Sequence, residues 1–349
     1  MQKKQNEIKE IFLKVVEEFK YIYIHMKKIS IQKVVSKILS KKKLPILNEC
    51  KVENGILKAT NLELELRVKT DLKDGMYRII GNDFVPTQTD PEEYPNIPEV
   101  SGNISWTFLN VLLSDTLKKA SVFINRDYNK PCITGAYFKS ENGFVNIITT
   151  DSFRMYLKKL PAKIIEESEF IIFDPKKVAN ILPVLGEKID VVNGIDMVKF
   201  SGENGELSVR VIDDKFPDCK SIIPKWNWRL HFDRKKTLSA LKEIKPYANE
   251  KTFKVDLEYD DEKLTITAKN EEASKSIIVG AKIEAVETAS NIINNGIVVM
   301  PIQDEKMAFN IKYLIDILNS LEDNDVYFYS VGEDIMSPYF FSNERELLK

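Results

Sequence analysis

Seven lysines, Lys27, Lys28, Lys33, Lys37, Lys41, Lys42 and Lys43, fall between Met26 and Asn48, a stretch that contains no acid. Ammonium groups at that density neutralise phosphates, so the segment is suited to holding a polyanion. The same sign returns at Lys118 and Lys119, with Arg126 and Lys130 beyond them, at Lys176 and Lys177, and at Arg234, Lys235, Lys236, Lys242 and Lys245. Acids gather elsewhere, at Asp90–Glu93, Asp260–Glu262 and Glu322–Asp325, and the whole chain of 349 residues carries a net charge of −2. If the basic segments share one side, that side is positive on a slightly acidic body. The alternative is that each lysine only solvates the outer face of its own helix.

Bond-making chemistry has no comparable set of residues. Cys50, Cys132 and Cys219 lie far apart and the histidines are His25 and His231, which gives neither a disulfide framework nor zinc-ligand spacing. There is no phosphate-cradling glycine loop and no nucleophile–histidine pair. Asp151 reads as a turn or strand-end cap. The expectation is a protein that is not an enzyme and takes no cofactor or metal. No apolar run reaches the roughly 20 residues of a membrane span, and residues 1–25 are too charged for a secretory signal, so a cytoplasmic protein that binds no membrane is expected.

The elements that position these lysines repeat. A short strand leads into an amphipathic helix at Lys28–Ile31 and Gln32–Ser40, Asn103–Trp106 and Thr107–Phe123, Glu169–Phe173 and Asp174–Leu185, Arg229–Phe232 and Asp233–Tyr247, and Met307–Phe309 and Asn310–Leu321. Each helix has an apolar stripe, such as Val34, Val35, Ile38 and Leu39, or Val178, Ile181, Leu182 and Leu185, or Ile311, Leu314, Ile315 and Leu318, at the spacing of a half-buried helix. The fifth is nearly neutral, with Lys312 against Asp316. Between the helices, alternating or β-branched runs such as Leu62–Val68, Phe144–Ile148 and Leu264–Ala268 read as antiparallel meanders. Helices on one face of antiparallel sheets make an α+β architecture built from repeated strand–helix–strands units.

Two composition shifts mark junctions, an extended linker at Thr87–Pro98 and a second at Pro217–Trp228. They divide the chain into an extension at 1–25 and domains at 26–101, 102–225 and 226–349. The extension carries Ile8, Ile11, Phe12, Val15, Val16 and Phe19 as the apolar set of a further amphipathic helix.

Four segments, in order, resemble one family. Leu44-Pro45-Ile46-Leu47 with Lys58-Ala59-Thr60-Asn61-Leu62-Glu63-Leu64, Pro131-Cys132-Ile133-Thr134-Gly135 with Thr150-Asp151-Ser152-Phe153-Arg154-Met155, Lys215-Phe216-Pro217-Asp218 through Ile222-Ile223-Pro224, and Phe309-Asn310-Ile311-Lys312-Tyr313-Leu314-Ile315-Asp316 are similar to motifs of the bacterial DNA polymerase III beta subunit, or sliding clamp. The resemblance runs from Met26 to about Phe341.

It implies a DNA clamp fold: three domains of two units each, joined head to tail with a second subunit into a ring around duplex DNA, with helices lining the hole. The lysines facing DNA would be Lys33, Lys37, Lys41, Lys42, Lys43, Lys118, Lys119, Lys176, Lys177, Lys235, Lys236 and Lys242, with Arg126 and Lys130. It also implies a cleft between the second and third domains for short peptides of a DNA polymerase, a clamp loader and repair or replication factors. Carried over by position, that cleft involves Ile133, Thr150, Ser152, Phe153, Arg154, Met155, Pro217, Ser221, Ile222, Asn310, Tyr313, Met336 and Pro338. Arg154 and Asn310 are expected to fix a peptide backbone or a glutamine side chain, while Tyr313 and Ile133 have core packing as their alternative.

The chain departs from the family in three places. Ser152-Phe153 stands where the family has Gly-His. The family's terminal M-P-M-R-L strand is missing after Phe341, and Gly296–Ile302, which resembles it, precedes the fifth helix, either as an insertion strand or in the same place. After Met76–Ile80 the first domain passes to the proline-rich segment with no second helix, so five helix units are expected where the family has six. That shortening motivates a rival reading, a clamp-derived adaptor that binds peptides without closing a ring.

Overall fold

The computed structural model describes residues 30–39, 44–219, 228–260, 262–285, 295–301, 307–330 and 338–343. These fall into two compact units, one drawn from Met1–Thr149 and Lys159–Phe216, the other from Thr150–Lys158 and Pro217–Lys349. Among the described residues are five α-helices: α1 Ile31–Ile38, α2 Asn110–Ala120, α3 Pro175–Ile181, α4 Arg234–Ile244 and α5 Ile311–Ser320.

The helices are shorter than their periodicity predicts, for identifiable reasons. Thr107–Leu109 belong to the strand Ile104–Leu109, where Trp106 and Phe108 point into the core. Pro183 and Pro246 lack the N–H that an α-helix needs, and the chain tightens to 3-10 turns at Leu182–Val184 and Lys245–Tyr247. In α5, Ile317 takes the buried place expected of Ile315, which is half-buried. The expected strand Lys28–Ile31 and the helix at 1–25 lie outside the described residues, except Ser30, which precedes α1 as its N-cap, and Ile31, which opens it.

In the first unit a ten-stranded antiparallel sheet runs Lys163–Ile164, Ile104–Leu109, Lys188–Asn193, Met197–Gly202, Gly205–Arg210, Leu64–Lys69, Ile56–Thr60, Glu49–Glu53, Gly75–Ile80 and Asp83–Pro86. At its centre Leu207 sits opposite Leu66, so the expected boundary at 101/102 falls inside this unit. Gly205 permits that pairing, because a Cβ there would collide with the Arg67 carbonyl oxygen. Helix α2 packs on α3, and α1 on α3. The buried Asn110 ties α2 down by donating to the Leu182 and Gly186 carbonyls, each at 2.6 Å.

The segment expected as an extended linker, Thr87–Pro98, is not a free tether. Tyr94 is buried, its hydroxyl accepts from the Thr60 N–H at 3.1 Å, and Arg67 donates to the Ile97 carbonyl at 2.9 Å. Composition recorded the prolines but not the tertiary contacts. As expected, no α-helix separates Gly75–Ile80 from that segment.

In the second unit the strands lie in the order Arg154–Pro161, of which residues 154–158 belong to this unit, Asn295–Val299, Tyr339–Ser342, Asp325–Ser330, Trp228–Asp233, Ser274–Ala285, Lys263–Lys269, Lys254–Tyr259 and Ala308–Asn310. Helices α4 and α5 pack together, and an aromatic core of Phe309, Phe328, Tyr339 and Phe341 lies in this unit, with Phe328 stacked on Tyr339 at 4.9 Å. Stacked and edge-to-face rings of this kind add to the area they bury.

Candidate functional site

The site begins with a turn. Thr150 ends one strand and Arg154 begins the next, and the Thr150 hydroxyl donates to the Arg154 carbonyl at 2.7 Å while accepting from the Ser152 N–H at 3.1 Å. Asp151 Oδ1 accepts from the N–H groups of Phe153 and Arg154. This is the Asx-turn chemistry expected of Asp151. It holds Ser152 at φ 78°, a left-handed conformation that favours glycine, and it presents Phe153 to solvent at 59% exposure.

Arg154 behaves differently from expectation. Its side chain is only 7% exposed; Nε and Nη2 donate to Asp151 Oδ2 at 3.0 and 2.9 Å, and Nη1 donates to Asp316 Oδ2 at 2.8 Å. The guanidinium carbon lies 4.0 Å from the centroid of the Tyr313 ring, within cation–π range. The two carboxylates hold the guanidinium in place, so Arg154 builds the wall of the site. Tyr313 is half-buried, its ring 6.4 Å from that of Phe153, and burial followed by the nearby Asp151 carboxylate raises its hydroxyl pKa.

Asn310 also departs from its expected role. Its side-chain oxygen caps α5 by accepting from the Lys312 N–H at 3.0 Å, and its amide donates to the Thr252 carbonyl. It is a helix cap.

The remaining expected cleft residues are distributed as follows. Met155 is buried in the strand register opposite Val298. Pro217 is exposed, and Pro338 is half-buried before the strand Tyr339–Ser342. Ile133 belongs to the first unit and is 3% exposed there, while Ser221, Ile222 and Met336 lie outside the described residues. Two residues that the expectation left out join the site. Asp316 was visible as the last residue of Phe309–Asp316. Met300 is 40% exposed and its N–H donates to the Phe153 carbonyl at 2.9 Å; its signal was the Met300-Pro301 pair. The strand Asn295–Val299 that delivers it lies between Arg154–Pro161 and Tyr339–Ser342, so the segment resembling the family's terminal strand runs beside the site's turn.

The basic residues mostly stand on outer helix faces. Lys33 and Lys37 on α1, Lys118 on α2, Lys176 on α3, and Lys235, Lys236 and Lys242 on α4 are exposed, as are Arg126 and Lys130 after α2. Lys119 pairs with Asp115 one turn back, and Lys177 with Asp174 at 3.0 Å. Surface pairs of this type are worth under about 1 kcal/mol, little enough to be exchanged for a phosphate. Lys41, Lys42 and Lys43 lie outside the described residues. Lys312 on α5 rests its ammonium 3.2 Å from the centroid of the Phe253 ring. Among the described residues no group of three or more His, Cys, Asp and Glu is placed to hold a metal ion, and no helix is long and apolar enough to cross a membrane.

Comparison with known proteins places this geometry. Residues 109–218 match the sequence profile of the DNA polymerase III beta subunit, central domain, and residues 220–339 that of its C-terminal domain. The chain is 25% identical over 209 residues to the beta sliding clamp of Chlamydia muridarum, covering 57% of each chain, and 25% identical over 246 residues to that of Bacillus subtilis, covering 68% of this chain and 61% of the relative. These alignments therefore span less than two thirds of the relatives' lengths. Among solved structures, the DNA polymerase III beta subunit of Thermotoga maritima superposes with a TM-score of 0.71 at 20% identity, over 89% of this chain and 95% of that one. A putative beta subunit from Eubacterium rectale gives a TM-score of 0.72 at 14% identity, over 89% and 95%. At such identities the likeness establishes the fold, an α+β clamp fold of antiparallel sheets.

Proposed function

The chain belongs to the DNA polymerase III beta subunit family, and on that premise we propose that it is a DNA sliding clamp, a non-catalytic protein of the bacterial cytoplasm that confers processivity on a replicative polymerase by encircling duplex DNA. In this reading the chain forms three domains at 26–101, 102–225 and 226–349 after an extension at 1–25, and two copies join into a ring. The observation that carries it is the placement of exposed lysines on α1, α2, α3 and α4 of a chain whose net charge is −2. Phosphate contacts of this kind position a duplex without reading its sequence, which suits a ring that must slide. The exposed Phe153 and Met300, with the half-buried Tyr313, form the surface on which short peptides of the polymerase, the clamp loader and repair or replication factors dock.

The test is topological. Protein placed on nicked circular DNA by a clamp loader is expected to stay bound through gel filtration, and to be lost when a single cut linearises the circle. Equal loss from circle and line overturns the encircling reading.

A further inference from the structure

The docking surface has a charge as well as an apolar rim. Phe153, Met300 and Tyr313 make the rim. Behind them one guanidinium is set against two carboxylates, with Asp151 14% and Asp316 38% exposed while Arg154 is only 7% exposed. The positive partner is thus covered, and the group that an incoming side chain can reach is the Asp316 carboxylate. Lys312, on the same helix, turns its ammonium onto Phe253.

We propose that this surface selects peptides in which an apolar anchor is flanked by basic side chains, with Asp316 and the exposed Phe153 face as the specificity-determining groups. The inference rests on the docking reading above and deepens it. An ammonium or guanidinium beside the anchor meets the outer edge of Asp316 and the π-face of Phe153, both of which attract a cation. An acidic flank meets the same carboxylate and is repelled, because Arg154 is already engaged. Ser152-Phe153 matters for this preference because the turn holds Phe153 outward, so its ring is presented without first being ordered.

Fluorescence anisotropy on the full chain with three labelled decapeptides tests it. Each carries a central Leu-Phe pair, flanked on both sides by Lys, by Gln or by Glu. The expected order of affinity is Lys, Gln, Glu, with the Lys peptide about fivefold tighter than the Glu peptide at low salt, as for a partly exposed ion pair, and the ratio narrowing as salt is added. Asp316→Asn is expected to bring the ratio between the Lys and Glu peptides near one, with the Gln peptide measured alongside to check that the surface still binds. A Glu peptide that binds as tightly as the Lys peptide to the unmodified chain overturns the charge selection, as does a ratio that survives Asp316→Asn. If none of the three binds, the docking reading fails and this inference with it; if the Gln peptide binds but charge makes no difference, only this inference falls.

Discussion

The turn Thr60–Leu64 in the first unit and the turn Thr150–Arg154 at the start of the second are built on one hydrogen-bond plan. In both, a threonine hydroxyl donates to the carbonyl four residues on, at 2.8 and 2.7 Å, and accepts the N–H two residues on, at 3.0 and 3.1 Å. In both, Asn61 or Asp151 accepts the next two N–H groups, and the residue between is left-handed, Leu62 at φ 74° and Ser152 at φ 78°. A third turn at Asn270 keeps the Asx bonds but has Lys269 in place of the threonine, and Glu271 is not left-handed there. What differs is the side chain each threonine turn delivers. The first buries Leu64 as ordinary core; the second buries Arg154 between two carboxylates and holds Phe153 in solvent. A repeated scaffold becomes a site by changing four of its five side chains, Asn61 to Asp151 among them, without a new backbone.

The sharpest way to break that contrast is to remove the delivered side chains. Leu64→Ala is expected to cost about 3 kcal/mol in urea denaturation, the loss of a buried aliphatic side chain. Arg154→Met is expected to cost about as much, but for another reason, since it strands Asp151 and Asp316 without their partner. Adding Asp316→Asn to Arg154→Met should then recover part of the loss, about 1 kcal/mol, because the stranded charge is gone. Losses that simply add would mean that Arg154 stabilises by packing alone, and that the two turns deliver equivalent core residues.

The shared scaffold is tested by Thr60→Val and Thr150→Val. Each removes one hydroxyl that both donates and accepts, and each should destabilise by about 1–2 kcal/mol. The two values should agree within about 0.5 kcal/mol, the scatter of a single hydrogen bond's contribution, if the turns draw on the same bonds. A large effect at one and none at the other would show that the two turns share a shape but not an energy source.

How much of this could be read from residues alone follows the range of the interactions. Thr60-Asn61 and Thr150-Asp151 announce their turns because their side chains bond to backbone within four residues. The stripe Val178, Ile181, Leu182 and Leu185 is wholly buried, as its spacing predicts. The pairing of Arg154 could not be read, because Asp316 is 162 residues away in sequence and no local pattern carries it. Asn310 opens its helix where the sequence places the start, because an asparagine directly before an apolar periodic run is a helix-start signal. Tyr94 shows the same limit as Arg154, since a proline-rich composition does not reveal that one aromatic hydroxyl fastens the segment to Thr60.

The smallest expected effect concerns the left-handed residue itself. Glycine reaches φ near +75° without the clash between Cβ and backbone that costs other residues about 1–2 kcal/mol, but it gives back part of that gain as entropy of the unfolded chain. Ser152, exposed and giving up little side-chain packing, should therefore gain about 0.5 kcal/mol on Ser152→Gly, seen as a modest rise in the denaturation midpoint. Leu62, at 44% exposure, keeps more than half of its surface covered, so Leu62→Gly exchanges relief of strain for lost apolar contact and should leave stability within about 0.5 kcal/mol of the unmodified chain. If Ser152→Gly were instead destabilising, the Thr150 hydroxyl and the Asp151 carboxylate would have to be relieving the strain at Ser152 completely, and the serine would be as well suited to this turn as the glycine its position favours.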